Sequence, residues 1–112
     1  MSLDWERIFT HAAALPGAEV STSYGQPAVK ANGYVLISPG REPDSFCLHI
    51  DRDTKAMLIE TDPDTYWETP HYQGWPALLV RYASADPERV LATIERALEE
   101  AIAKRRKPAR KK

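Results

Sequence analysis

Thr69-Pro70-His71-Tyr72-Gln73-Gly74-Trp75 sets an imidazole and two large aromatic rings between a proline and a glycine. Pro70 pushes Thr69 toward extended backbone and Gly74 permits a turn, so His71, Tyr72 and Trp75 are expected at the mouth of a sheet. Flat rings beside a titratable imidazole suit stacking on an exposed base or holding a small ligand. The competing reading is that Tyr72 and Trp75 cover the end of the sheet while His71 bonds a backbone carbonyl.

The other groups able to do chemistry are dispersed. His11, His49 and His71 join Cys47 as potential metal ligands, and Cys47 and His49 would share one face of a strand, but no second pair at a recognised zinc spacing accompanies them. Asp51, Asp53, Glu60, Asp62, Asp64 and Glu68 form a carboxylate-rich stretch whose members fall largely where helix caps and first-turn acids belong. No metal and no cofactor is therefore expected. The chain has no G-x-S-x-G elbow, P-loop, dinucleotide fingerprint or H-E-x-x-H, which points away from an enzyme.

Charge separates along the chain. Of 15 basic residues, Lys104, Arg105, Arg106, Lys107, Arg110, Lys111 and Lys112 lie in the last nine positions, leaving 8 bases against 16 acids in residues 1–103. A body at −8 repels nucleic-acid phosphates while a tail at +7 attracts them through counterion release, so affinity for DNA would depend on the tail. The plainer reading is that bases at the end of a final helix complement its dipole and aid solubility.

These groups need a scaffold, and 112 residues suffice for one domain with its own core. The single cysteine excludes an internal disulfide. The lack of an apolar run of ~18 residues and of a basic-then-apolar amino terminus argues against a membrane span or secretory signal, and a cytoplasmic protein is expected. Asn32-Gly33, between Ala28-Val29-Lys30-Ala31 and Tyr34-Val35-Leu36-Ile37, predicts a tight hairpin with both central φ positive. Strands are predicted near 19–23, 27–31, 34–38, 45–50 and 77–82, and a polar loop over 39–44 is expected to project as a wing.

An amino-terminal helix is read from Trp5, Ile8, Phe9, Ala12 and Leu15, capped by Ser2 and stopped at Pro16-Gly17. Asp53 is the expected cap of a short helix over 55–60, and Asp62-Pro63 is read as another helix start. The final helix begins at Asp86-Pro87 and carries Val90, Leu91, Ile94, Ala97, Leu98, Ala101 and Ile102, ending before Pro108. Trp5, Phe9, Val35, Ile37, Phe46, Leu48, Ile50, Leu79, Ile94 and Leu98 are the expected core. The fold class is α+β: a two-layer domain over residues 1–103, its antiparallel sheet packed against the N- and C-terminal helices, followed by a basic tail at 104–112. Alternation fails at Tyr34-Val35-Leu36-Ile37 and Leu78-Leu79-Val80, so those strands are expected to be covered on both faces.

Leu15-Pro16-Gly17 after the first helix, Tyr24-Gly25-Gln26-Pro27-Ala28 entering the hairpin, Gly33 at its turn, and Thr69-Pro70-His71-Tyr72 with Gly74 before the late strand resemble the MmcQ/YjbR-like proteins. That resemblance spans nearly the whole chain and implies a frataxin/CyaY-like fold with a double-wing DNA-binding motif. It makes DNA the expected partner, contacted through Lys30, Arg41, Arg52, Lys55 and Arg81 near the loops together with the tail bases. The alternative is a small-molecule or protein-binding domain using the surface from His71 to Trp75, with the tail incidental.

Overall fold

Asn32-Gly33 closes the hairpin that its backbone chemistry predicts. In the computed structural model, which describes residues 3–23, 25–40 and 44–103, Asn32 and Gly33 have φ of 54° and 82°, and Ala31 pairs directly with Tyr34. Positive φ at both central positions gives the turn the twist its strands require.

The hairpin lies within a six-stranded antiparallel sheet formed by β1 (Ala18–Ser23), β2 (Gln26–Ala31), β3 (Tyr34–Pro39), β4 (Ser45–His49), β5 (Tyr66–Trp67) and β6 (Ala77–Arg81), in the order β1-β2-β3-β4-β6-β5. At Val29/Lys30 the β2–β3 register shifts, so that Lys30 faces Val35 while Val29 faces Ile37. Leu36 is the extra residue of this bulge, which breaks the alternation. Leu36 and Ile37 are consequently both buried, and Val35, expected in the core, is only half-buried.

Among the described residues, three α-helices complete the domain: α1 (Trp5–Ala13), α2 (Arg52–Thr61) and α3 (Pro87–Ala103). Asp4, rather than Ser2, caps α1 by accepting from the Arg7 N–H at 2.8 Å; Ser2 lies outside the described residues. The α1 helix also ends at Ala13, ahead of the predicted stop at Pro16-Gly17. Asp51, rather than Asp53, caps α2 through the Thr54 N–H at 2.9 Å. Two residues further along the chain, Asp53 is an acid in the first turn, favourable to the dipole but too far into the helix to cap it. For α3 the Asp86-Pro87 signal is correct, with Arg89 N–H donating to Asp86 at 3.1 Å.

One face of the sheet packs against α1 and α3, where Ile8, Ala12, Phe46, Leu48, Leu78, Val80, Ile94 and Leu98 form a continuous buried cluster. Trp5 and Phe9 pack against it without being fully buried. Leu79 is buried on the opposite face with Cys47 and Ala77, beneath Trp67 and Tyr72. Both faces of β4 and β6 are thus covered, as their unbroken apolar runs require. The carboxyl-terminal part of α3 meets the hairpin, where the Asn32 side-chain amide donates to the Ala101 carbonyl at 3.0 Å.

Asp62-Pro63 does not start a helix. Asp62 instead accepts the Thr65 and Tyr66 N–H groups at 3.1 and 3.0 Å, folding 62–65 into a turn that delivers β5 to the free edge of β6. Pairing with a waiting strand edge outweighs a local helix signal of only four residues.

Candidate ligand groove beside Trp75

The 69–75 segment is built as its composition implies. Thr69 is extended at φ −101° and ψ 169°, and Pro70–Tyr72 form a single 3-10 turn. Gly74 takes φ +79°, and Trp75 N–H closes the following turn on the Tyr72 carbonyl at 3.0 Å. The rings separate in consequence. Tyr72 turns inward over Cys47, Ala77 and Leu79, while Trp75 stands 63% exposed. The exposed His71 ring meets Tyr72 edge-on, with centroids 5.0 Å apart.

What holds this loop is a residue assigned from sequence to a different role. Lys55, on α2, is only 5% exposed. Its Nζ donates to the Tyr72 carbonyl at 2.7 Å, to the Trp75 carbonyl at 2.8 Å and to Glu68 Oε1 at 2.6 Å. Three acceptors use all three ammonium donors, so a buried cation is fully compensated and both ends of the Tyr72–Trp75 turn are fastened to α2. Lys55 therefore cannot serve as the exposed phosphate contact expected of it.

The α2 helix is itself tied down at its start, because the Asp51 backbone N–H donates to Glu100 Oε1 on α3 at 3.2 Å. Hydrogen bonding with Glu100, reinforced by Thr54, holds the Asp51 carboxyl down at about 2, whereas burial pushes Glu100 up. The two carboxyls are thus shifted in opposite directions across the α2–α3 junction.

Between α2 and the loop lies a groove of about 400 Å³. Ala56 and Ile59 from α2 and the Trp75 ring supply its apolar walls. Arg52 and Glu60 on α2, with Glu68 paired to Lys55, give it charges of both signs in equal number. A Cβ at Gly74 would meet nothing within 4 Å, so the backbone there is open to an incoming group.

Elsewhere the candidate residues are scattered. Arg81 lies 4.0 Å above the Trp67 ring and 3.7 Å from Asp44, occupied on both sides. Lys30 faces Glu19 across the β1–β2 ladder. Arg52 is exposed at the mouth of the groove, while Arg41 and the tail bases 104–112 lie outside the described residues. The Asn32-Gly33 turn and Gly40 sit at opposite ends of β3, and residues 41–43 of the expected wing lie outside the described residues. One basic stripe through both would have to run the length of the strand, roughly 17–20 Å.

The histidines do not converge either, for His11 pairs with Glu95 at 3.0 Å between α1 and α3. Among the described residues no three His, Cys, Asp or Glu side chains are grouped to hold a metal ion. Burial pushes the Cys47 thiol up despite hydrogen bonding with Tyr72 and Ser38, leaving it a poor nucleophile. Sequence reasoning missed Lys55 and Glu68 as the support of the loop. The available signal was a lysine one turn before Leu58 and Ile59, on the apolar side of a short helix; nothing singled out Glu68 among the neighbouring acids Glu60, Asp62 and Asp64.

The chain is 36% identical over a 68-residue alignment to three mycobacterial proteins described as uncharacterised: Mb2600 of Mycobacterium bovis, and MT2646 and Rv2570 of Mycobacterium tuberculosis. The alignment covers 57% of this chain and 53% of each relative, so the chain spans about half the length of the curated relatives it matches. No protein-family model matches the chain. No solved structure matches it. Among the described residues, no helix is long and apolar enough to cross a membrane.

Proposed function

We propose that this chain is a non-enzymatic binding module whose ligand surface is the groove between α2 and the Trp75 loop. One observation carries the reading: a largely exposed tryptophan is presented on backbone fastened by a buried, fully bonded lysine. Exposing a large ring costs solvation free energy, and immobilising the loop beneath it lowers the entropy lost when a partner docks. Apolar walls and balanced charges favour a neutral or zwitterionic ligand with a flat or branched apolar group.

N-acetyltryptophanamide, neutral and carrying a flat indole, is a suitable probe. Titrated into labelled protein, it is expected to shift the Gly74 amide, the Trp75 indole N–H and the Ile59 methyls, and Trp75→Ala should weaken its binding at least tenfold without lowering the melting temperature. Perturbations spread over the surface, or centred on the other tryptophans, would remove the groove from consideration.

Nucleic acid is the second reading, supported by the division between a body at −8 and a tail at +7. With Lys55 buried and Arg81 occupied, phosphate contacts fall chiefly to the tail, as a resemblance to MmcQ/YjbR-like proteins would allow. If about four tail charges engage phosphates, log K for duplex DNA falls against log salt with a slope of about −3.6, at ~0.9 per phosphate. A chain ending at Ala103 should lose most of that binding and keep its stability. Salt-insensitive binding, or full affinity after truncation, would reject the tail.

A further inference from the structure

The amino-terminal edge of the sheet has an unused hydrogen-bonding face. Strand β1 pairs with β2 alone among the described residues, its six residues matched from Ala18↔Ala31 to Ser23↔Gln26 without a register shift. Antiparallel partners alternate between exchanging both backbone bonds and exchanging none. Pro27, which has no N–H, stands opposite Thr22, so Thr22 belongs to the non-bonded set, and with it Val20 and Ala18. Ala18 confirms the parity, because its N–H turns away from β2 to the Leu15 carbonyl at 3.1 Å. Val20 and Thr22 therefore direct both N–H and C=O outward.

Proteins normally protect such an edge with proline, lysine, a bulge or a covering segment. Among the described residues none of these stands on β1: it reads Ala-Glu-Val-Ser-Thr-Ser, with Glu19 its one charge, and Val20 is 65% exposed at its middle. We propose that β1 is a self-association strand, pairing antiparallel with β1 of a second copy about a two-fold axis through Ser21. In that register Val20 meets Thr22 of the other copy and Thr22 meets Val20. All eight outward groups bond, forming four hydrogen bonds and a continuous twelve-stranded sheet. Glu19 falls opposite position 23 rather than its own counterpart, so no like charges meet. An axis through Val20 is poorer, since the Thr22 carbonyls would face Ala18 N–H groups already engaged by Leu15. The self-complementary edge is what selects a second copy as the occupant.

A single strand pair is a small interface, so association should depend on concentration. Sedimentation equilibrium of the full chain from about 10 µM to about 1 mM, the range of weak complexes, should show mass rising from 12.6 kDa toward twice that value. Thr22→Pro removes an outward N–H without touching the β1–β2 ladder, and Val20→Lys places like charges along the seam. Both should remain at the monomer mass with unchanged melting temperature. Should the proline variant fail to fold, amide exchange in the native chain gives the same answer: protection at Val20 and Thr22 rises with concentration, while that at Ser21, already bonded to β2, does not. A chain monomeric at the highest concentration, or a dimer indifferent to Val20→Lys and without the Val20/Thr22 protection pattern, would overturn the proposal.

Discussion

Lys55→Met is expected to destabilise the protein by about 3 kcal/mol, although it keeps most of the aliphatic stem. Removing one partner of a buried ion pair commonly costs about 3–5 kcal/mol, because the remaining groups are left without compensation. Here the groups left behind are the Glu68 carboxylate and the carbonyls of Tyr72 and Trp75. Glu68 is 29% exposed, so water recovers part of its solvation and the lower end of the range applies. With each 1 kcal/mol worth roughly 4–8 °C in a domain near 100 residues, the melting midpoint should fall by about 12 °C or more. Amide exchange at Gln73 and Trp75 should accelerate, and affinity for N-acetyltryptophanamide should fall with it. Trp75→Ala should give the opposite pattern, sparing stability and removing affinity. A Lys55→Met protein that melts like the parent would show that the ammonium does not hold the loop.

Ile94→Ala is expected to cost about 2–5 kcal/mol, the range for deleting a buried aliphatic side chain and leaving a partly relaxed cavity. Ile94 is 0% exposed in the middle of α3, within the cluster that joins α1 and α3 to the sheet. Urea unfolding should show a lower midpoint with an unchanged slope, since the surface exposed on unfolding is nearly the same. Probe affinity extrapolated to the fully folded protein should not change, because Ile94 does not line the groove. A midpoint within error of the parent would exclude Ile94 from the core. A fall in intrinsic affinity would show that the α2–α3 junction transmits strain to the Trp75 loop.

Lys55 and Val35 depart from what their positions in the sequence imply, both through the packing of distant elements. A base near a loop reads as exposed, which is why Lys55 is expected among the phosphate contacts with Lys30, Arg41, Arg52 and Arg81. The folded chain instead buries Lys55 among three oxygens, whereas Arg81, lying over Trp67, keeps a 41% exposed side chain. Position along the chain does not indicate which lysine will find three acceptors, since Glu68, Tyr72 and Trp75 reach Lys55 only when α2 packs beside β5 and β6. Val35 failed for a related reason. A bulge at Leu36 moves the face by one residue, and bulges leave no mark in a run of four apolar residues.

Local chemistry settled much of the scaffold in advance. Asn32-Gly33 requires two positive φ values and therefore a two-residue hairpin; Asp86-Pro87 can start a helix and the Val90 to Leu98 spacing must bury one side of it; Pro70 and Gly74 dictate an extended residue and a turn. Each depends on steric limits within a few neighbouring residues, so sequence alone determines it. Tertiary structure decided the insertion of β6 between β4 and β5, the conversion of Asp62-Pro63 from helix start to turn, the division of Tyr72 and Trp75 between core and solvent, and the burial of Lys55. These depend on which distant strand edge, apolar face or carbonyl is within reach after the chain has closed, and that proximity is created only when the whole sheet is assembled.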